Sequence, residues 1–405
     1  MPKIWFRYPL LYFLFTAAAG AVLRGMAFLP AWQSRYESLL HAHSHLALLG
    51  WGYTALILLL VYRFLSPEDR NSRFFRVNWL LTQLTIVSMF IAFILQSYGF
   101  YSILFSTVHI MLSYSLTIWM WRKFQKTEYQ QTSIRFAKAS LFFMVLSSVG
   151  PWCLAVLSAK HLTDSPWYQG SLYFYLHCQY NGWFTLGLFS LLYSLLEQTK
   201  IALPRKLAGF HYWVYTLSLL PSFLLSLLWM KLSPVWNGIA IISGLLQLAS
   251  VSAFFILWLR NRTLSHLIFT GWSRIFLNLS LTALAIKMLL ELGSAIPALE
   301  PLIFSTRSVV IGYLHLVLLG FVSCMILALA MQMQWISVAR KWRIFGSILF
   351  IVGFISNEFV LFLDGLMNWT RSTNFPFSSE ILLASSMLLL FGIVSFGLNG
   401  FKKNK

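Results

Sequence analysis

The stretch from His41 to Trp51, HAHSHLALLGW, places three imidazoles at the start of a long apolar segment that continues to Tyr62. On a helix, His41 and His45 are four residues apart and share a face, whereas His43 points to another side. Neutral imidazole is the commonest protein ligand for transition metals and haem iron, and polar groups are expensive inside a bilayer. The stretch therefore predicts a membrane-spanning helix with metal or haem ligands near one end.

Composition extends this prediction to the whole chain. Of the 405 residues, 59% are hydrophobic and only 10% are charged, too few polar side chains to cover a soluble domain of this length. Apolar runs close to the roughly 20 residues that cross a bilayer recur from end to end. We expect a single all-α polytopic membrane domain over residues 1–405, with about twelve spans. Their expected bounds are Tyr8–Leu29, His41–Tyr62, Asn78–Gln96, Tyr101–Trp121, Phe136–Ser158, Leu172–Leu196, Leu207–Met230, Gly238–Leu259, Arg274–Gly293, Ser308–Met331, Arg343–Leu366 and Ser379–Asn399.

The formal net charge is +19, and the basic residues behind it are distributed unevenly between the loops on the two sides of the membrane. Basic residues crowd the loops on the side of both termini, for example in 70–76, 122–126 and 200–206, whereas the opposite side holds only Arg35, Lys160, Lys231, Arg307 and Arg371. The positive-inside rule predicts a bacterial-type inner membrane with both termini in the cytoplasm. The partner implied by the basic excess is therefore the lipid bilayer, and nucleic acid is excluded.

Other ionisable residues stand in the apolar segments. Arg24, near the outer end of span one, is either a side chain that reaches the interface or a counter-charge for an anionic group. His109 in span four is either hydrogen-bonded to a neighbouring helix or a metal ligand. Lys287 and Glu291 in span nine are four residues apart, which predicts a structural ion pair. Candidates for proton or ion passage in span eleven are Glu358 and Asp364.

One histidine motif recurs at a near-constant interval. His45, His177 and His315 are each followed by four residues, a glycine and then Trp or Phe, and they are 132 and 138 residues apart. These separations are close to one third of the chain, and the motifs fall in spans two, six and ten. His266 fits the motif as well, but lies off the period and on the inner side. The register suggests three pseudo-repeats of four helices, over about residues 1–135, 136–272 and 273–405.

This arrangement resembles subunit I of the haem-copper oxidase superfamily, with twelve helices in three groups of four and histidines at the outer ends of spans two, six and ten. The segment from His43, HSHLALLG, is similar in style to the His-x-His segments of nitric oxide reductase catalytic subunits. The resemblance implies a low-spin haem between His45, or its neighbour His43, and His315. It also implies that Arg24 faces a haem substituent and that His177 is a copper ligand, with Tyr180 one turn away.

The sequence departs from the pattern of that superfamily at its second metal centre. Span seven has only His211, at the inner end, instead of paired histidines, and Tyr313-Leu-His315 replaces the His-x-His of span ten. A reduced metal site would then rest on His177, His41 and His109, with copper as its possible metal.

The sequence thus favours a haem-binding membrane protein in electron transfer or diatomic gas chemistry, with oxidoreductase activity left open. Because no CxxCH cytochrome module is present, another membrane or cytochrome subunit would have to supply electrons. An alternative is a transporter or a haem- or copper-handling factor on the same scaffold, to which Pro151 and Pro221 within spans lend some support. A structural subunit whose histidines only join helices is the third interpretation.

Overall fold

The computed structural model describes residues 2–124, 131–199, 203–299, 303–304, 306–370 and 375–397. Within these ranges the chain is helical and contains no strand. Eleven helices of the described chain are long and apolar enough to cross a membrane. The prediction of an all-α polytopic membrane protein is therefore confirmed. Six of the basic residues used to predict topology fall outside the described residues, namely Lys126, Lys200, Arg371, Lys402, Lys403 and Lys405.

We number the long helices in chain order. Eleven of them are α1 (Lys3–Phe28), α2 (Pro30–Phe64), α3 (Pro67–Gln96), α4 (Phe100–Lys123), α5 (Gln131–Ala159), α7 (Arg205–Met230), α8 (Pro234–Arg260), α9 (Gly271–Gly293), α10 (Arg307–Gln332), α11 (Lys341–Trp369) and α12 (Ser378–Phe396). The remaining helical segment, α6, covers residues 166–197 and coincides with the sixth expected span.

Helix α6 is more polar than the others, and this keeps it out of the group of eleven. Its middle carries Gln179 and Asn181, yet the whole stretch from Cys178 to Leu196 is buried. Because buried amides need hydrogen-bond partners, α6 is expected to be an inner helix that carries a polar network. Its start is well defined, with Pro166 in the first turn and the Ser165 hydroxyl accepting from the backbone N–H of Trp167.

The chain divides into two compact units. The first comprises residues 1–116 and 307–405 and holds α1 to α3, most of α4, and α10 to α12. The second comprises residues 117–306 and holds α5 to α9.

In the first unit, α1 packs along α2 and α12, and α11 packs along both α10 and α12. Close packing of α11 on α12 depends on Gly353, because a Cβ there would lie 2.8 Å from the Ser385 carbonyl oxygen. The inner parts of α2 and α10 are its best-shielded segments: all residues of 51–61 and 320–331 are buried. These two helices therefore form the centre of the unit.

In the second unit, α5 packs against α6, and α7 packs against α8. The Ser140 hydroxyl donates to the Trp183 carbonyl at 2.7 Å, and the Ser250 hydroxyl donates to the His211 carbonyl at 2.8 Å. These side-chain bonds between helices supply the cohesion that the hydrophobic effect cannot provide within a lipid environment. His211 also contacts the Tyr193 hydroxyl through Nδ1 at 3.0 Å, in the buried interior.

Three stretches of π-helix interrupt α2, α6 and α10. They are Leu46–Tyr53, Cys178–Phe184 and Leu316–Ser323, and each begins one residue after the histidine of the recurring motif. A π stretch shifts the register of the helix and is frequent at functional sites. The sequence motif thus coincides with a local change of backbone geometry that sequence periodicity did not predict.

Candidate functional site

Two contacts join α2 to α10 in the first unit and bracket the predicted histidines. At the outer pair, Arg307 donates to the Tyr36 hydroxyl at 2.6 Å and stacks over the Tyr36 ring at 5.1 Å. At the inner pair, the indole N–H of Trp51 donates to the Ser323 hydroxyl at 2.7 Å. Residues 36 and 51 are separated by roughly 20 Å of helix. The histidines of α2 and α10 lie within this interval.

The surface of α10 between the two contacts is only partly buried. Residues 308–311 and 313–315 of α10 are all partly accessible, although consecutive residues point to all sides of a helix. A lipid-facing helix would instead expose a single stripe. The side chain of His315 is 31% accessible. The same helix is fully buried from residue 320 to residue 331, so the accessible part of α10 is confined to the segment around His315.

His43 faces α1. Its Nδ1 lies 2.9 Å from the Thr16 carbonyl oxygen, which can only accept, so the proton of the imidazole stands on Nδ1. The lone pair is left on Nε2, as in most histidines that ligate metals. Gly20 makes the approach possible, since a Cβ at that position would lie 3.1 Å from Cε1 of His43.

Arg24 lies among charged and titratable groups of the same unit. It interacts electrostatically with His43, His315, Glu358 and Asp364. Among the described residues it makes no hydrogen bond and no direct ion pair. An arginine held near carboxylates without contacting them keeps its fork of donors available for an anionic group.

His315 is held from α11 by an amide and a carboxylate. Its Nδ1 lies 3.1 Å from Nδ2 of Asn357 and 4.0 Å from Oε1 of Glu358. The same Asn357 nitrogen donates to Oε1 of Glu358 at 2.9 Å, and the buried Oε2 of Glu358 has no hydrogen-bond partner among the described residues. In this amide orientation Nδ1 of His315 is an acceptor. Ligation through Nε2 requires the proton on Nδ1, with the Asn357 oxygen or Glu358 as its acceptor.

His45 and His41 point to α3 instead. Nδ1 of His45 lies 2.9 Å from the His41 carbonyl oxygen, and its ring stacks on Phe93 at 4.1 Å between centroids. The His41 ring contacts Tyr98 at 4.5 Å, and its Nε2 lies 3.5 Å from Glu37. The two histidines that the sequence could not separate, His43 and His45, therefore face different helices.

His109 is buried in α4. Its ring meets Tyr53 edge to face at 5.0 Å, and it interacts electrostatically with His45. Its Nε2 has no hydrogen-bond partner in the described chain.

His177 belongs to the second unit, where both of its ring nitrogens are used. Nε2 donates to the Leu219 carbonyl at 2.8 Å, and Nδ1 accepts from Asn181 Nδ2 at 3.2 Å. The carbonyl is available because α7 changes to a 3-10 helix at Phe223–Met230, just after Pro221. Here the histidine satisfies a backbone group released by a helix break.

The polar network of α6 continues to α9. Asn181 accepts from Lys287 Nζ and donates to Glu291 Oε1 at 3.1 Å, while Lys287 donates to Glu291 Oε2 at 2.8 Å. The predicted ion pair of Lys287 and Glu291 is present. The Tyr215 hydroxyl donates to the Asn181 carbonyl at 3.1 Å, which adds a third helix, α7, to this cluster.

The predicted metal set of His177, His41 and His109 is divided between the two units. Within the part of the chain that the structure describes, no group of three or more His, Cys, Asp or Glu side chains is placed to hold a metal ion. Neither a protein-family model nor a curated protein matches this sequence. The geometry of the residues is therefore the basis for assigning a function.

Proposed function

We propose that this chain is an integral membrane haem protein built like subunit I of the haem-copper oxidases, with one haem held between His43 and His315. The observation that carries the proposal is the grouping of His43, Arg24 and His315, which interact electrostatically with one another in the first unit. Its chemistry would be electron transfer or the handling of a diatomic gas such as O2 or NO.

The recurrence of π-helices supports three repeats of four helices. Besides the three histidines, the neighbouring helices follow the same register: Tyr12 of α1 packs on Gly50 of α2, and Phe143 of α5 packs on Gly182 of α6. The separations of 131 and 132 residues match the interval of the motif. A repeat of this kind places each histidine at an equivalent point of its own four-helix group.

The same repeat makes α6 the sixth of twelve spans. Its 32 residues would extend roughly 48 Å, more than the hydrocarbon core of a bilayer. Its two buried amides, Gln179 and Asn181, have hydrogen-bond partners inside the second unit, so they need not face lipid. With α6 included, both termini fall on one side, which the basic loops mark as the cytoplasmic side of a bacterial-type inner membrane.

The residues of the first unit fit a haem in three respects. His43 has its proton fixed on Nδ1 by a carbonyl, so Nε2 can ligate iron. His315 has two groups of α11 beside Nδ1 that can accept a hydrogen bond from Nδ1–H, namely the Glu358 carboxylate and, with its amide turned over, the Asn357 oxygen. Arg24 has donors available for the carboxylate substituents of a haem. A haem bound there would supply one-electron transfer at its iron, and the helices would fix its orientation.

We choose His43 over His45 for the α2 ligand because only His43 shares its surroundings with Arg24 and His315. His45 is stacked on Phe93. Copper at His177, His41 and His109 stays a prediction without geometric support, since both ring nitrogens of His177 are already hydrogen-bonded.

A transporter or a haem- or copper-handling factor is the second candidate. The break of α7 after Pro221, with a buried Lys287 and Asn181 beside it, is the arrangement that supports it. Broken helices that carry polar groups form substrate sites in many transporters.

Visible spectra of the detergent-purified protein after haem-replete expression test the first candidate. We expect a Soret band and, after reduction with dithionite, a sharp α band. His315→Ala should abolish the low-spin α band, whereas His211→Ala, a buried histidine of the second unit, should keep it. A protein that folds but carries no haem would contradict the proposal and favour the transporter.

A further inference from the structure

A separate cavity of about 530 Å³ opens in the second unit, between the start of α6 and the end of α7. The charge pattern places this end of both helices on the outer side of the membrane. The side chains that matter for its chemistry are Asp164, Tyr168, Gln169, Leu172, Tyr173 and Trp229. The volume lies within the range of roughly 300–1,000 Å³ that is typical of small-molecule sites.

Two strong donors of this cavity are used within the protein. Gln169 donates through Nε2 to the Tyr173 hydroxyl at 2.6 Å. The indole N–H of Trp229 donates to the Ser226 carbonyl at 3.0 Å. The cavity therefore offers a ligand mainly oxygen acceptors and aromatic faces.

Aromatic rings and one carboxylate line the same cavity. Tyr173 and Trp229 meet at 90° with 6.3 Å between ring centroids, so that the two rings present walls in different directions. Asp164 makes no hydrogen bond or ion pair with any described residue. Although Lys160 and Lys231 lie nearby in sequence, neither lines the cavity. A carboxylate beside several aromatic faces attracts cations through both charge and the ring quadrupoles.

We propose that this cavity binds an organic ammonium group. An ammonium supplies the donors and the positive charge that the cavity lacks, and its carbon substituents can contact Leu172 and the rings. An anion would meet Asp164 with few available donors. The ammonium can belong to a lipid headgroup or to a soluble amine, and the two sources are distinguished by experiment. This inference does not depend on the proposed haem.

The test uses the full-length protein in a detergent without amines. Choline and ethanolamine are titrated by calorimetry as soluble probes. In parallel, the protein is reconstituted with a mixture of phosphatidylethanolamine and phosphatidylglycerol, and retained lipid is measured by native mass spectrometry. Saturable binding of the amines indicates a soluble ligand, whereas retention of phosphatidylethanolamine without binding of free amine indicates a lipid headgroup.

Three variants make the test specific. Asp164→Asn and Trp229→Leu should each weaken the binding by about tenfold or more. Trp167→Leu removes an exposed tryptophan that does not line the cavity and should leave binding within about twofold. Asp164 is exposed, so its substitution keeps the fold and carries the test even if Trp229→Leu does not fold. Equal binding by wild type and Asp164→Asn, or no saturable binding of any probe, would overturn the proposal.

Discussion

Histidines at equivalent motif positions have different surroundings in the two units. In the first unit, His315 contacts α11 through one nitrogen and its side chain is 31% accessible. In the second unit, His177 has the same place before a π-helix, yet both of its nitrogens are hydrogen-bonded and it is buried. The comparison teaches that a recurring motif marks a position in the fold, while the partners of each nitrogen determine what the imidazole can do.

The largest effect is expected from the ion pair of the second unit. Lys287→Met leaves Glu291 and Asn181 without their buried cation and should destabilise the protein by about 3–5 kcal/mol. The measurement is the midpoint of unfolding in mixed SDS micelles. The double variant Lys287→Met/Glu291→Leu should recover much of the stability that Lys287→Met loses. Arg24→Gln, which removes no direct contact, should change stability little. Similar losses of stability in Lys287→Met and Arg24→Gln would contradict this difference between the ion-paired Lys287 of the second unit and the Arg24 of the first unit.

Removing the His177 side chain should destabilise the protein less than Lys287→Met does. His177→Ala leaves the Leu219 carbonyl and the Asn181 amide each short of one partner, a loss of about 1–3 kcal/mol. Haem content, measured as the pyridine haemochrome, should stay at the wild-type level. Loss of haem in a folded His177→Ala protein would show that the second unit also carries ligands.

Glycine substitutions compare the packing at the two π-helices. In Gly182→Ala, the new methyl group would overlap Cβ of Phe143, which cannot turn away, so we expect a loss of about 1–3 kcal/mol. Gly50→Ala should cost less, because its nearest neighbour at 2.8 Å is the flexible end of Leu46. Gly209→Ala, with nothing within 4 Å, is the control. Equal unfolding midpoints for the three variants would contradict the tight packing at Gly182.

The smallest effect is expected at the inner contact of α2 with α10. Ser323→Ala removes the acceptor of the Trp51 indole and should cost about 1 kcal/mol. Trp51→Phe loses the same bond together with some packing on Phe13. In the double variant the two losses should not add, because they share one hydrogen bond. Additive losses would indicate that the bond contributes nothing.

Sequence periodicity and charge predicted the helices well, because apolar runs of this length have few alternatives to spanning a bilayer. The pairing of Lys287 with Glu291 was also predictable from their spacing on one helix face. The π-helices were not predictable, because a π-helix has only about one residue more per turn than an α-helix and leaves the apolar pattern of the sequence almost unchanged. The sequence predicted α6 as one apolar span among twelve, but its buried amides make it more polar than the other long helices.

The site was only partly predictable. The sequence identified Arg24, the histidines of α2 and His315 as candidates, but it could not decide which side His43 and His45 face, because the position of α1 and α3 is a tertiary property. Asn357 was missed entirely. A buried amide in an apolar helix is a usable signal, since such a group requires a polar partner. His177 was expected to bind copper because of the resemblance to the haem-copper oxidases, and nothing local in the sequence shows that the break of α7 presents it with a carbonyl.

Electron paramagnetic resonance of the oxidised protein tests the central claim most directly, with His43→Ala and His45→Ala measured beside the wild type. The two variants remove imidazoles that are two residues apart on one helix. They therefore differ chiefly in the neighbouring helix that the lost imidazole faced, which is α1 for His43 and α3 for His45. We expect the low-spin ferric signal in wild type and His45→Ala, and its loss or conversion to a high-spin signal in His43→Ala. A low-spin signal that survives in His43→Ala and disappears in His45→Ala would contradict the assignment.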